Sequence, residues 1–141
     1  MIDEKDLKII KILLRNARAT YTEIAKELNL TEAAARKRVK RLENLGVIKG
    51  YKAIIDYKKL GYSIISLTGI DTEPEALLDV AKQLINKSWI NALFLTSGDH
   101  MIMAEIIAKD NTEFMKIQDE IKKIPGVRRI CPALVLDVLK E

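Results

Sequence analysis

The sequence predicts an α+β chain in two parts, a helical unit over residues 1–47 and a mixed sheet-and-helix unit over residues 62–141. Three observations predict it. Capped, amphipathic helical segments follow one another up to Gly46. Beyond Gly61 the apolar pattern changes to strand-like runs in the order β-α-β-β-α-β. Charge divides at the same place: residues 1–61 carry 15 Lys and Arg against 8 Asp and Glu, and residues 62–141 carry 9 against 12. Within a net charge of +4, a basic front and an acidic back fit a polyanion-binding head on a body that does not itself adsorb to the polyanion.

The first helix starts at Asp3 as cap, with Asp6 an acidic first-turn residue and Leu7, Ile9, Ile10, Leu13 and Leu14 at core spacing. The pattern stops near Asn16. Thr20 starts a second helix, and Glu23 three residues later completes a capping box, each side chain satisfying an open backbone N–H. Ile24, Ala25 and Leu28 face inward, and Asn29 suits a left-handed turn. Thr31 caps a third helix whose buried stripe is Ala35, Val39, Leu42 and Leu45. Gly46 stops that helix, and VIKGYKAIID leaves it extended.

Two helices around a short turn, the second basic, form a helix-turn-helix that reads double-stranded DNA in the major groove. A recognition helix enters by its N-terminal end, so Thr31, Glu32, Ala33, Arg36 and Lys37 are the candidates for base edges. Arg38, Lys40 and Arg41 are placed for phosphates, which position without specifying.

In the second part, Ser63–Ile70 reads as a strand and Pro74 opens a helix to about Asn86. Strands follow over Ile90–Thr96 and Met101–Ala108, separated by a Ser97-Gly98-Asp99 turn. A helix over Asn111–Ile124 and a last strand over Val127–Leu139, broken by Pro132, complete a ferredoxin-like βαββαβ order. Two helices cover one sheet face, yet Met101–Ala104, Ile106–Ala108 and Ala133–Leu136 are almost continuously apolar, as in strands buried on both faces. A second copy of the sheet is the simplest cover, which predicts a homodimer.

At 141 residues and 48% hydrophobic, the chain suffices for one core or two small ones. No apolar run reaches membrane-spanning length, and MIDEKDLKII has acids and no cleavage site, so a cytoplasmic protein without membrane contact is expected. Cys131 is the only cysteine and is expected as a small buried apolar residue. With one His, one Cys and no phosphate-binding glycine loop, no enzyme activity, metal or cofactor is expected. Heavy Lys, Glu and Ile usage is compatible with a thermophilic, archaeal source.

Taken together, ARATYTEIAKELNLTEAAARKRVKRLENLGVIKGYKAIID, the KKLGY that follows, the Ser97-Gly98-Asp99 turn and the final strand resemble the Lrp/AsnC family of bacterial and archaeal transcription regulators. The resemblance covers essentially the whole chain. It implies a winged-type helix-turn-helix over residues 1–47, a β hinge over 48–61 with its strand near 48–57, and a ferredoxin-like effector (RAM) domain over 62–141. It implies dimers that associate into tetramers or octamers, autoregulation, and an amino-acid effector bordered by Gly98 and Asp99. In the family an aromatic and a second acidic residue often follow that pair; this chain has His100 and Met101, which complete the candidate effector loop. Two other classes compete: an architectural protein that coats DNA with little sequence preference, and a standalone ligand-binding or protein-interaction domain.

Overall fold

The computed structural model describes all 141 residues, in two compact units, Met1–Ile54 and Ile55–Glu141. In the first, α1 (Glu4–Arg15), α2 (Tyr21–Leu28) and α3 (Glu32–Asn44) enclose Ile9, Ile12, Ile24, Ala25, Ala35, Val39 and Leu42. Each of these three helices starts on a side-chain cap. Thr20 Oγ1 accepts from the Glu23 amide and Thr31 Oγ1 from the Ala34 amide, both at 3.1 Å. The reciprocal box expected at Thr20 and Glu23 forms instead on α1, where Asp3 and Asp6 each accept from the other's amide. Asp6 is buried and held in place, whereas Glu23 is exposed, where water competes for its carboxylate.

Asn29 takes the left-handed conformation (φ 55°) between α2 and α3. Gly46, at φ 75°, ends α3 with its N–H on the Glu43 carbonyl while the Val47 N–H reaches the Leu42 carbonyl, the crossed pair of a Schellman motif. Three leucines assigned to the core are exposed: Leu7, Leu14 and Leu45. On α1 the buried stripe runs Asp6, Ile9, Ile12, and Leu7 and Leu14 fall about 140–160° around the helix from Ile9. A charged residue at the head of the stripe hides its phase. Residues 49–56 form neither helix nor strand, so the strand expected near 48–57 is not made within the single chain. A strand needs a paired neighbour for its amides, and this stretch pairs with none.

After a 3-10 turn at Tyr57–Leu60, the second unit runs β1 (Ile64–Thr72), α4 (Leu77–Ile85), β2 (Ile90–Leu95), β3 (Ile102–Ala108), α5 (Asn111–Lys122) and β4 (Val127–Leu134). The strands form one antiparallel sheet in the order β2-β3-β1-β4, the ferredoxin-like arrangement. Pro132 sits opposite Thr68 on β4, an edge strand where a missing N–H breaks no interior ladder. The strand ends at Leu134, short of the expected Leu139.

Ile102, Ala104, Ile106 and Ala108 are fully buried against α4 and α5, with Ile70, Val80, Leu84, Phe114, Ile117 and Ile121. The expectation of strands buried on both faces holds for this face alone. On the other, Met103 and Ile107 are half-buried, and Leu67 and Phe94 are 48% and 59% exposed. Ala133, paired with Leu67, is also exposed, and Cys131 is half-buried rather than in the core. The physical reason is that one chain supplies two helices for two sheet faces. No helix is long and apolar enough to cross a membrane.

Candidate nucleic-acid interface

α3 displays its cations because Ala35, Val39 and Leu42 repeat at helical spacing and draw the rest of the helix outward. Thr31, Glu32, Ala33, Arg36, Lys37 and Lys40 are exposed, and Arg38 and Arg41 are half-buried. Ala33, Arg36, Lys37, Lys40 and Arg41, with Asn44 and Leu45, line a cleft of about 540 Å³ that contains no carboxylate. Five of the eight sequence-predicted residues therefore share one basic surface. Thr31 caps the helix beside it, Glu32 lies one turn before Arg36, and Arg38 turns away to α1.

Arg36 is held in a defined pose. Its Nη2 donates to Glu32 Oε1 at 3.0 Å, and its guanidinium lies 5.2 Å from the centre of the Tyr21 ring. Glu32 is itself fixed by Thr22, whose Oγ1 donates to Oε2 at 3.1 Å. Exposed pairs of this kind add little stability. Their effect is to narrow the orientations of a side chain that otherwise has many.

Arg38 Nη1 donates to both Asp3 oxygens at 2.8 Å and to Asp6 Oδ1 at 3.0 Å. Arg41 Nη1 donates to Asp6 Oδ2 at 3.2 Å, and its Nη2 to the Met1 carbonyl. Asp6 is fully buried between the two arginines. The hydrogen bond from Arg38, helped by the Asp6 amide, lowers the Asp3 carboxyl from an ordinary 3.8 to about 2. In turn the two aspartates hold the Arg38 guanidinium above its usual range. Sequence reasoning missed this network and the role of Tyr21. An Asp at both cap positions reads as helix-start chemistry, and nothing local reveals partners 32 to 35 residues away.

In the second unit, Gly98 and Asp99 form an exposed bend between β2 and β3. His100 and Met101 turn back onto β1: His100 Nδ1 lies 3.1 Å from Asp71 Oδ2, and the Met101 amide donates to Asp71 Oδ1 at 3.1 Å. The imidazole occupies the space above Gly69, where any Cβ would overlap it. Burial raises the Asp71 carboxyl, but the His100 and Met101 hydrogen bonds and the Arg129 charge outweigh it and hold it below its ordinary value. The loop thus divides. Asp99 is free at the surface, and His100 and Met101 are half-buried against the sheet. No group of three His, Cys, Asp or Glu side chains is placed to hold a metal ion.

Residues 2–49 match the winged helix-turn-helix DNA-binding family, and residues 65–141 match the Lrp/AsnC ligand binding domain. The chain is 50% identical over 141 residues to the HTH-type transcriptional regulators LrpA of Pyrococcus horikoshii and Pyrococcus abyssi, with 99% of this chain and 100% of each relative covered. Among solved structures, it superposes on the transcriptional regulator NMB0573 of Neisseria meningitidis, solved as an L-Met complex, with a TM-score of 0.90 at 21% identity. That match covers 100% of this chain and 94% of the other. With both halves matched in order and over the full length of its relatives, the protein belongs to the Lrp/AsnC family of DNA-binding transcription regulators.

Proposed function

We propose that the protein binds its operator through α3 and represses or activates transcription from it, its own promoter included. The observation that carries this reading is the basic cleft on α3 lined by Arg36, Lys37, Lys40 and Arg41, with Arg36 already posed by Glu32 and Tyr21. Arg36 and Lys37 read base edges, with Thr31, Glu32 and Ala33 at the leading end, and Lys40 contacts phosphate. Arg38 and Arg41 mainly hold α3 in place. Arg38 makes all its bonds through Nη1, so its Nη2 and Nε remain for a phosphate. The bare apolar sheet face supports a symmetric dimer, which further associates into tetramers or octamers and presents two α3 helices to paired half-sites.

The Gly98–Met101 loop is the place for an amino-acid effector. Asp99 is its exposed carboxylate, suited to an ammonium group, and an L-Met complex is known for a protein of the same fold. The DNA reading is tested by measuring affinity for a duplex from the protein's own upstream region against a random duplex at matched salt. A preference of about 10³ or more is expected. Equal affinities would identify an architectural coating protein instead. Calorimetry against the twenty amino acids tests the effector, and no heat at millimolar ligand would remove it.

A further inference from the structure

The helical unit carries another cationic cleft that shares no residue with the one on α3. It is the larger of the two, about 690 Å³, and Lys5, Lys8, Lys11 and Arg15 border it over a floor that includes Ile12 and Leu28. Arg15 pairs with Glu27 at 3.3 Å, whereas none of the three lysines is ion-paired. Glu4, one turn before Lys8, is the exposed acid on α1 beside them, Asp6 being buried on the other side, and Glu27 of α2 lines the cleft as the partner of Arg15. All four cations are exposed.

Direction follows from helix geometry. Asp6 marks the side of α1 that meets α3, through Arg38 and Arg41. At about 100° per residue, Lys8, Lys11 and Arg15 lie roughly 140–200° around α1 from Asp6 and face away from α3, while Lys5, about 100° round, lies to the side. From Lys5 to Arg15 the ridge is about 15 Å long, a length over which a duplex presents about nine negative charges.

We propose that this ridge is a second, sequence-independent phosphate-binding surface, which engages a further DNA duplex while α3 holds the operator. The inference rests on the reading of α3 as the operator contact. The ridge has the charge and the length for a polyanion, no arginine free to recognise a base edge, and a partner already concentrated beside it by α3. One helical unit then contacts two stretches of DNA, and the regulator bridges or loops them.

The test uses the full-length chain and a random-sequence duplex, with Lys5→Gln/Lys8→Gln/Lys11→Gln on the ridge and Arg36→Ala/Lys37→Ala/Lys40→Ala on α3. All six positions are exposed. The α3 variant should lose operator preference yet keep salt-dependent binding to the random duplex. Adding the ridge substitutions should weaken that residual binding about tenfold at roughly 50 mM salt and flatten the log–log salt slope by about 2–3, near 0.9 per lost phosphate contact. With α3 intact, the ridge variant should hold the operator within about twofold of wild type. Residual binding unchanged by the ridge substitutions overturns the proposal and leaves the cleft to an acidic protein segment. Operator affinity falling by the same tenfold overturns it too, since both surfaces then grip one duplex. An α3 variant that binds operator as wild type does would instead sink the reading of α3.

Discussion

Arg36 and Lys40 stand on the same exposed face of α3, one turn apart, and differ in how they are held. Arg36 is posed by Glu32 and Tyr21, while Lys40 reaches freely into solvent. Arg36→Ala should therefore lose about 1–3 kcal/mol of operator discrimination. Lys40→Ala should weaken all duplexes alike and lower the salt slope by about one contact. Competition binding on operator and random duplexes separates them, and matching losses from both variants would mean the base and phosphate roles are misassigned. On the proposed reading, the Tyr21 ring serves recognition by posing Arg36. Tyr21→Leu should reduce operator preference with little change in random-duplex affinity, and Tyr21→Phe, which keeps the ring, should restore it. Equal preference in the Leu and Phe variants would leave the ring without a role. Arg36 was legible in the sequence because a helical stripe fixes which residues face outward. Tyr21 was not, because a cation–ring contact between two helices depends on their crossing and on no local pattern.

At the scale of the element, α3 is fastened to the start of α1 as well as to the core. The ion-pair network of Asp3, Asp6, Arg38 and Arg41 ties α3 to a capping box, so one cluster of charges both starts one helix and docks another. Its pH dependence has a definite sign. The Asp3 carboxyl is held near 2 in the folded chain against an ordinary 3.8. Its contribution is complete above about pH 4 and is lost as pH falls through the folded value near 2. Thermal melts of the whole chain between pH 5 and 2 should show this acid loss of the helical signal, and Asp3→Asn should flatten it. Identical acid profiles in the two proteins would remove Asp3 as its origin. The caps of α2 and α3 were readable from Thr20 and Thr31 because a cap is local chemistry within three residues. The buried position of Asp6 was not readable, since its partners come from a helix more than thirty residues on. The exposure of Leu7 and Leu14 follows from the same fact.

Over the whole molecule, the strand order and the helix count were legible because apolar periods and turn residues alternate cleanly along residues 62–141. The strand expected after Gly46 is not made, because pairing is a property of the neighbour and not of the strand. The face left bare by α4 and α5 bears on assembly. Leu67 and Phe94 project from it beside Met103, and a copy of the same face is the matching cover. Light scattering at micromolar concentration should give at least a dimer mass, and Leu67→Glu with Phe94→Glu should shift it towards the monomer while the helical signal persists. A monomeric wild-type mass would end the symmetric-reader proposal.

The bond from Arg41 to the Met1 carbonyl gives the first residues of the chain an office beyond starting a helix. With Asp3 on Arg38, they add a second hold on two cations of α3 that Asp6 already grips. Trimming residues 1–3 would leave both arginines on Asp6 alone and α3 with fewer ties to the start of α1.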